Sequence, residues 1–305
     1  MSSTLERIDG DPVSGKRAIP ALLTDYYELA KPRIIVLLLV TTAAAMMMAA
    51  RGIPPLALTF WTLLGGAFAA GSAGALNCVY DGDIDRLMRR TKDRPIPTGR
   101  ISVRDGTVFA VLLGIAAFAI LFYLVNPLAA WLSLCGNAYY VLVYTMWLKR
   151  ITPLNIVIGG AAGSVPPLVG WAAVTHQLGG PALGLFALIF LWTPPHFWSL
   201  ALMTEIDYDK AKIPMLPNVS GEERTKREII YYTILLVLAS LALYPLHVMG
   251  PIYTAAAAVL GGIFLYDTIR AWRDPGKTWA RHTFKFSLLY LALMCAVMVI
   301  DRIIA

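Results

Sequence analysis

The chain has 305 residues, of which 58% are hydrophobic and only 15% charged, and its mean hydropathy is +0.64. Apolar runs of membrane-spanning length recur along it, which excludes an ordinary soluble fold. The net charge of +7 therefore bears first on membrane topology and is not read as the footprint of a nucleic-acid partner.

Residues 1–30 form a polar N-terminal tail, expected to be cytoplasmic, and lack the basic, apolar and small-residue regions of a cleaved leader. Apolar runs then predict nine spans, at 34–50, 56–77, 106–125, 128–148, 154–174, 181–203, 229–248, 252–269 and 285–303. Each is near the ~17–25 residues that cross ~30 Å of hydrocarbon. Turns at Asn126-Pro127, Gly179-Gly180-Pro181 and Gly250-Pro251 separate several of them. With the N-terminus cytoplasmic, 24 of the 26 Lys and Arg fall in the tail or in the loops after spans 2, 4, 6 and 8. Only Arg51 and Arg302 face the other side, so the positive-inside rule gives a C-terminus opposite the N-terminus. The expected architecture is an all-α polytopic bundle. Residues 31–305 form one transmembrane domain, a pseudo-repeat of spans 1–4 and 5–8 plus a ninth helix. Small-residue runs, GGAFAAGSAGA (Gly65–Ala75) and IGGAAGS (Ile158–Ser164), predict close helix packing. Cys78, Cys135 and Cys295 are far apart and contain no metal-binding spacing, so they read as packing residues.

Acids also crowd the cytoplasmic loops, and the positive-inside rule does not account for them. In NCVYDGDIDRLMRRTKDRPIPTGRIS (Asn77–Ser102), Asn77, Asp81 and Asp85 stand at i, i+4 and i+8. If span 2 continues as a helix they share one face. Hard oxygen ligands of this kind suit Mg²⁺ shared with a phosphate substrate, and no His or Cys stands beside them to favour zinc. Arg86, Arg89, Arg90, Lys92 and Arg94 follow at once, cations suited to the oxygens of a pyrophosphate. A solvated loop obeying the charge rule is the other reading of any single arginine. It fits the three motif residues poorly, because acids at the membrane end of a helix are costly without a partner.

Lys149 and Arg150 close span 4 on the same face, as ligands of the same anion or as snorkelling anchors. A second acidic cluster follows span 6, with Glu205, Asp207 and Asp209 near Lys210 and Lys212. Four spans separate the two clusters, so they emerge on one face, where two acidic walls would flank one pyrophosphate. Within span 6, LWTPPHFW (Leu191–Trp198) sets a proline pair and His196 inside the membrane. A broken helix of this kind is tolerated where it lines a cavity, while a core histidine bonded to a neighbouring carbonyl is the plainer reading. His176 and His247 fall at the opposite surface by this topology.

With these motifs in view, NxxxDxxxD, the arginine-rich loop and the acidic cluster after span 6 resemble the UbiA superfamily of intramembrane prenyltransferases. LTDYYELAKPR (Leu23–Arg33), RPIP, TPPHFW and IPMLP are similar to its haem-farnesylating branch, a likeness covering about residues 23–300. The resemblance implies transfer of a farnesyl group from farnesyl diphosphate to a vinyl group of haem B, with water added, in a multi-pass protein of the cell inner membrane whose active face is cytoplasmic. A haem A synthase is the implied downstream partner. By position, Asn77, Asp81 and Asp85 would hold Mg²⁺ on the diphosphate, and Arg90, Lys92, Arg94 and Lys149 would neutralise it, with Arg86, Arg150 and Lys212 adding charge. Asp207 and Asp209 would hold a second ion, although the second cluster departs from a clean DxxxD, with Ala211 four residues after Asp207. Tyr144, Trp192, Phe197 and Trp198 are candidates to shield an allylic cation by their π faces. Of these, Tyr144 and Trp198 are grouped with His196 on the acceptor side, His196 as a ligand of haem iron. A quinone precursor or chlorophyllide as acceptor is the rival within the family. A secondary transporter is the rival of another class, disfavoured because the acids gather at one face and not at the midplane.

Overall fold

The computed structural model describes residues 19–304, which contain helices and no strands. The part of the tail at 1–18 lies outside the described residues. Residues 19–29, grouped above with the tail, form α1 (Ile19–Leu29), whose Leu29 packs with Ala75, Cys78 and Ile96. Then come α2 (Pro32–Ala50), α3 (Leu56–Tyr80), the short α4 (Gly82–Asp85), α5 (Val103–Leu124) and α6 (Pro127–Ala138). The last of these passes into a π-helical stretch, Tyr139–Trp147, and a 3₁₀ turn, Leu148–Arg150. The second half contains α7 (Asn155–Gly163), α8 (Pro166–Thr175), α9 (Gly180–Met203), α10 (Glu205–Lys210), α11 (Leu216–Ala242), α12 (Pro251–Arg273) and α13 (Thr278–Ile304).

Among the described residues, seven helical stretches are long and apolar enough to cross a membrane: α2, α3, α5, α7 with α8, α9, α12 and α13. The other two expected runs are helical in a different form. Residues 128–148 divide between α6 and the π-helical stretch, and 229–248 runs from the later part of α11, which opens on a polar segment, kinks at Gly221 and ends at Ala242, into the turns that follow. Several helices begin with proline, whose missing N–H costs nothing in the first turn. Asn126 caps α6 by accepting from Ala129 N, and its Nδ2 donates to Ala172 O at 2.8 Å, pinning α6 to the end of α8.

The helices pack in sequence, α2 on α3, α3 on α5, α5 on α6, α6 on α8, α8 on α9, α9 on α11, α11 on α12, α12 on α13 and α13 back on α2, with α2 on α8 and α9 on α13 crossing between them. Helices in lipid gain no hydrophobic drive from meeting each other, so close backbone approach carries the packing. The glycines supply it. A Cβ on Gly170 would run into the backbone carbonyl of Thr42, which fixes α8 against α2. A Cβ on Gly65 would meet the Leu121 side chain at 2.6 Å, between α3 and α5. The proline pair does not end α9, which runs on through Pro194 and Pro195. Hydroxyls follow the irregular turn closely, with Thr193 Oγ1 donating to Ile189 O and Ser199 Oγ to Pro195 O, each at 2.7 Å.

Candidate functional site

The polar end of the bundle is built first from the exit of α3. Asp81 N donates to Asn77 O at 2.9 Å and Asp85 N to Asp81 O at 2.8 Å, so the helical register persists from α3 into α4. Asn77, Asp81 and Asp85 therefore share a face, as their spacing predicts. All three are buried, Asp81 completely. Charge so placed is costly without partners, and each residue has a cation. Lys149 Nζ donates to Asp81 Oδ2, Arg94 Nη1 donates to Asp85 Oδ2 at 2.7 Å, and Lys31 Nζ donates to Asn77 Oδ1. The Asn77 amide closes the network by donating to Asp81 Oδ2 at 2.8 Å and to Thr145 Oγ1 at 3.1 Å.

Lys31 is the member that charge counting hides, because the positive-inside rule already gives it a reason to exist. Its signal is the neighbouring proline. Lys31 stands before Pro32 in the left-handed region (φ 58, ψ 52), a turn that only a defined context holds for a lysine. Burial above all pushes its ammonium below the ordinary lysine value, with Arg94 and Lys149 adding to the effect and Cys78 and Asp85 opposing it.

Around this network the expected cations divide. Arg150 forks onto Asp83 with two bonds of 2.8 Å, donates to Tyr80 O at 3.1 Å, and lies 3.7 Å from Asp81 Oδ1. That hydrogen-bonded pairing holds the Asp83 carboxyl below the usual carboxylate value. Arg86, Arg90 and Lys92 are exposed on the following loop. Arg89 Nε reaches within 3.5 Å of Asp207 Oδ1, so the second cluster does meet the first. Only Asp207 of that cluster is buried. Glu205 pairs with Lys277 at 3.3 Å, and Asp209, Lys210 and Lys212 are exposed. Two acidic walls of equal weight do not form, because residues at i, i+2 and i+4 cannot share one face of α10.

In the two acidic clusters, the sealed carboxylate oxygens Asp81 Oδ1 and Asp207 Oδ1 have no hydrogen-bond partner. Among the described residues no three His, Cys, Asp or Glu converge as a complete metal cage. This donor set fits Mg²⁺, which takes one or two carboxylates and fills its remaining positions with water and substrate oxygens.

The π-helical stretch delivers Tyr140, Tyr144 and Thr145 near the network, and π segments recur at functional sites. Tyr140 and Tyr144 lie face to face at a tilt, 5.3 Å between centroids. Gly159 of α7 accommodates Tyr144, since a Cβ there would run into its ring. Deeper in α9, His196 is sandwiched between Trp192 (4.3 Å) and Phe284 (4.7 Å), with Phe197 edge-on at 5.4 Å. Trp198 does not face this stack; it is buried among Ile84, Met88, Ile156 and Tyr208.

A buried acidic motif and its bonded cations thus lie together at one end of an apolar helical bundle. The chain belongs to the UbiA prenyltransferase family, whose profile matches residues 38–292. It is a multi-pass membrane protein of that family. It is 54% identical over 285 residues to protoheme IX farnesyltransferase of Synechocystis sp., covering 93% of this chain and 90% of that protein. The corresponding enzyme of Gloeobacter violaceus is 53% identical over 293 residues, covering 94% of this chain and 96% of that protein. Among solved structures, digeranylgeranylglyceryl phosphate synthase superposes with a TM-score of 0.77 at 18% identity, covering 93% of this chain and 100% of that chain. A UbiA homologue from Archaeoglobus fulgidus bound to GPP and Mg²⁺ has a TM-score of 0.66 at 19% identity, covering 90% of this chain and 99% of that chain. These structural likenesses are likenesses of fold.

Proposed function

We propose that this chain transfers the farnesyl group of farnesyl diphosphate to a vinyl group of haem B, with water added, giving haem O and pyrophosphate. The observation that carries the reading is the buried Asn77, Asp81 and Asp85 face with Lys31, Lys149 and Arg94 bonded to it. The names of the 53–54% identical relatives favour haem as the acceptor over a quinone precursor or chlorophyllide.

Asp81 and Asp85 are the residues that would hold Mg²⁺ at the diphosphate, with Asn77 orienting Asp81, and Asp207 would hold a second ion. When bound, the ion offsets the negative charge that develops on the departing diphosphate. In the free protein Lys149 and Arg94 are bonded to these carboxylates. On binding they turn to diphosphate oxygens, joined by Lys31. Arg86, Arg90, Lys92, Arg150 and Lys212 stand at the mouth, where they attract and retain the anion. Asp209 is exposed and is left out of the metal set. The allylic C–O bond breaks with both electrons going to the diphosphate, and the π-helical tyrosines offer their faces to the cation. The vinyl terminal carbon bonds to farnesyl C1, and a water oxygen captures the resulting cation beside the porphyrin and gives up one proton. His196 is proposed as the ligand of the haem iron.

We further propose nine spans in all, with α6 plus the π-helical stretch and the later part of α11 as the other two. The charge count supports a cytoplasmic N-terminus and a cytoplasmic active face in the cell inner membrane, the C-terminus opposite. A haem A synthase would take the product.

The test is product analysis. Purified protein in lipid nanodiscs, given haem B, farnesyl diphosphate and Mg²⁺, yields a hydroxyethylfarnesyl haem by mass spectrometry. Pyrophosphate release with another acceptor and none with haem B overturns the assignment.

A further inference from the structure

The structure assigns Ser287 as the positioning residue that fixes the tautomer of His196 and leaves Nε2 as the lone-pair nitrogen toward the haem iron; this rests on the proposed reading of His196 as the haem ligand. Ser287 Oγ lies 2.7 Å from His196 Nδ1 and also 2.7 Å from Phe284 O, the carbonyl one turn earlier in α13. A hydroxyl has one proton, and a carbonyl can only accept. The O–H therefore points to Phe284 O, and the Oγ lone pair accepts Nδ1–H from the imidazole. The ring consequently carries its proton on Nδ1. Among the described residues no protein group hydrogen-bonds Nε2, and it is not among the sealed, unpartnered polar atoms. It is the ring nitrogen left without a protein partner.

The rest of the arrangement holds the ring rigid. Trp192 and Phe284 clamp its two faces, and Trp192 Nε1 donates to Ser287 O at 2.8 Å. Ser287 thus ties two successive turns of α9 with its hydroxyl and its carbonyl, at the stretch where the proline pair removes backbone donors. A histidine that ligates a metal usually donates its other N–H to an acceptor that sets its orientation, and loss of that acceptor typically costs ~10–100-fold in affinity. Here a serine is that acceptor.

The experiment compares wild type, Ser287→Ala, Ser287→Thr and His196→Ala in nanodiscs. It reads haem B titration, the iron–histidine stretch of ferrous haem by resonance Raman, and thermal stability without haem. Expected are a ~10–100-fold weaker haem affinity and a shifted iron–histidine stretch in Ser287→Ala, recovery in Ser287→Thr, and loss of the histidine band in His196→Ala, with farnesyl diphosphate binding unchanged throughout. An unaltered band and affinity in Ser287→Ala, with the band lost in His196→Ala, overturns the role of Ser287 alone. An unaltered band in His196→Ala overturns the reading beneath it.

Discussion

Lys149 donates a hydrogen bond to the wholly buried carboxylate of Asp81, joining the 3₁₀ turn after the π-helical stretch to the exit of α3 across 68 residues of sequence. In the free protein this contact neutralises a charge that the membrane end of a helix could not otherwise hold. During turnover the same two groups are assigned to different partners, Asp81 to the ion and Lys149 to the diphosphate. Stability and catalysis therefore separate. Lys149→Met alone leaves a buried carboxylate less well compensated and should destabilise by ~3 kcal/mol. Pairing it with Asp81→Asn should restore most of the Tm while turnover stays at least ~100-fold down, the scale of losing one electrostatic stabiliser. Differential scanning fluorimetry and a product assay on the three variants check both halves.

The two acidic positions of α10 should differ sharply. Asp207 is buried, with one oxygen that has no hydrogen bond and only the Arg89 charge 3.5 Å away, whereas Asp209 is exposed. Asp207→Asn is expected to raise the Mg²⁺ concentration for half-maximal activity by ~10-fold or more, while Asp209→Asn stays within ~2-fold of wild type. Mg²⁺ titrations at saturating farnesyl diphosphate distinguish them.

Lys31 gives a pH signature. Its ammonium titrates below the ordinary lysine value because burial disfavours charge. Over the window between its lowered native pKa and the unfolded value of ~10.4, the unfolded chain binds more protons, so Lys31's contribution to stability rises with pH there. The substrate-binding charge is lost over the same approach. The alkaline limb of kcat/KM, which reports the free enzyme, should therefore fall below the lysine range. Lys31→Arg should move the limb upward because a guanidinium keeps its proton. A limb that does not move in that variant removes Lys31 from the diphosphate site.

Backbone approach can be tested by one methyl group. Gly170→Ala directs a Cβ at the Thr42 carbonyl, a backbone atom with no rotamer to give, and should cost ~1–3 kcal/mol. Gly262→Ala meets nothing within 4 Å and should be neutral or slightly stabilising. Thermal melts of the purified variants in one detergent provide the comparison.

Much of this site was readable from spacing. Asn77, Asp81 and Asp85 share a face because helix continues through Tyr80, and the apolar runs coincide with helices. The features that escaped depend on three-dimensional direction. Glu205, Asp207 and Asp209 are adjacent in sequence, but α10 turns the middle acid inward and sends Asp209 to the surface while Glu205 joins Lys277. Residues 128–148 read as one span, yet the π-helical turn inside them is set by tertiary fit, with Tyr144 lying against Gly159. The proline pair suggested a broken helix, but α9 carries it without ending. Lys31 escaped because topology alone explained a cation there. Ser287 escaped because a lone serine in an apolar run has no pattern to betray its partner on another helix.

In the proposed reaction the buried face of Asn77, Asp81 and Asp85 takes a prenyl diphosphate together with Mg²⁺. The most direct measurement is the Kd of farnesyl diphosphate by calorimetry, without haem, in wild type and in Asp81→Asn plus Asp85→Asn. Chelating Mg²⁺ is expected to weaken binding to wild type by ~100-fold or more, and the double variant to bind weakly with or without the ion. Equal affinity of wild type in Mg²⁺ and in chelator, or Mg²⁺-dependent wild-type affinity in the double variant, contradicts that assignment.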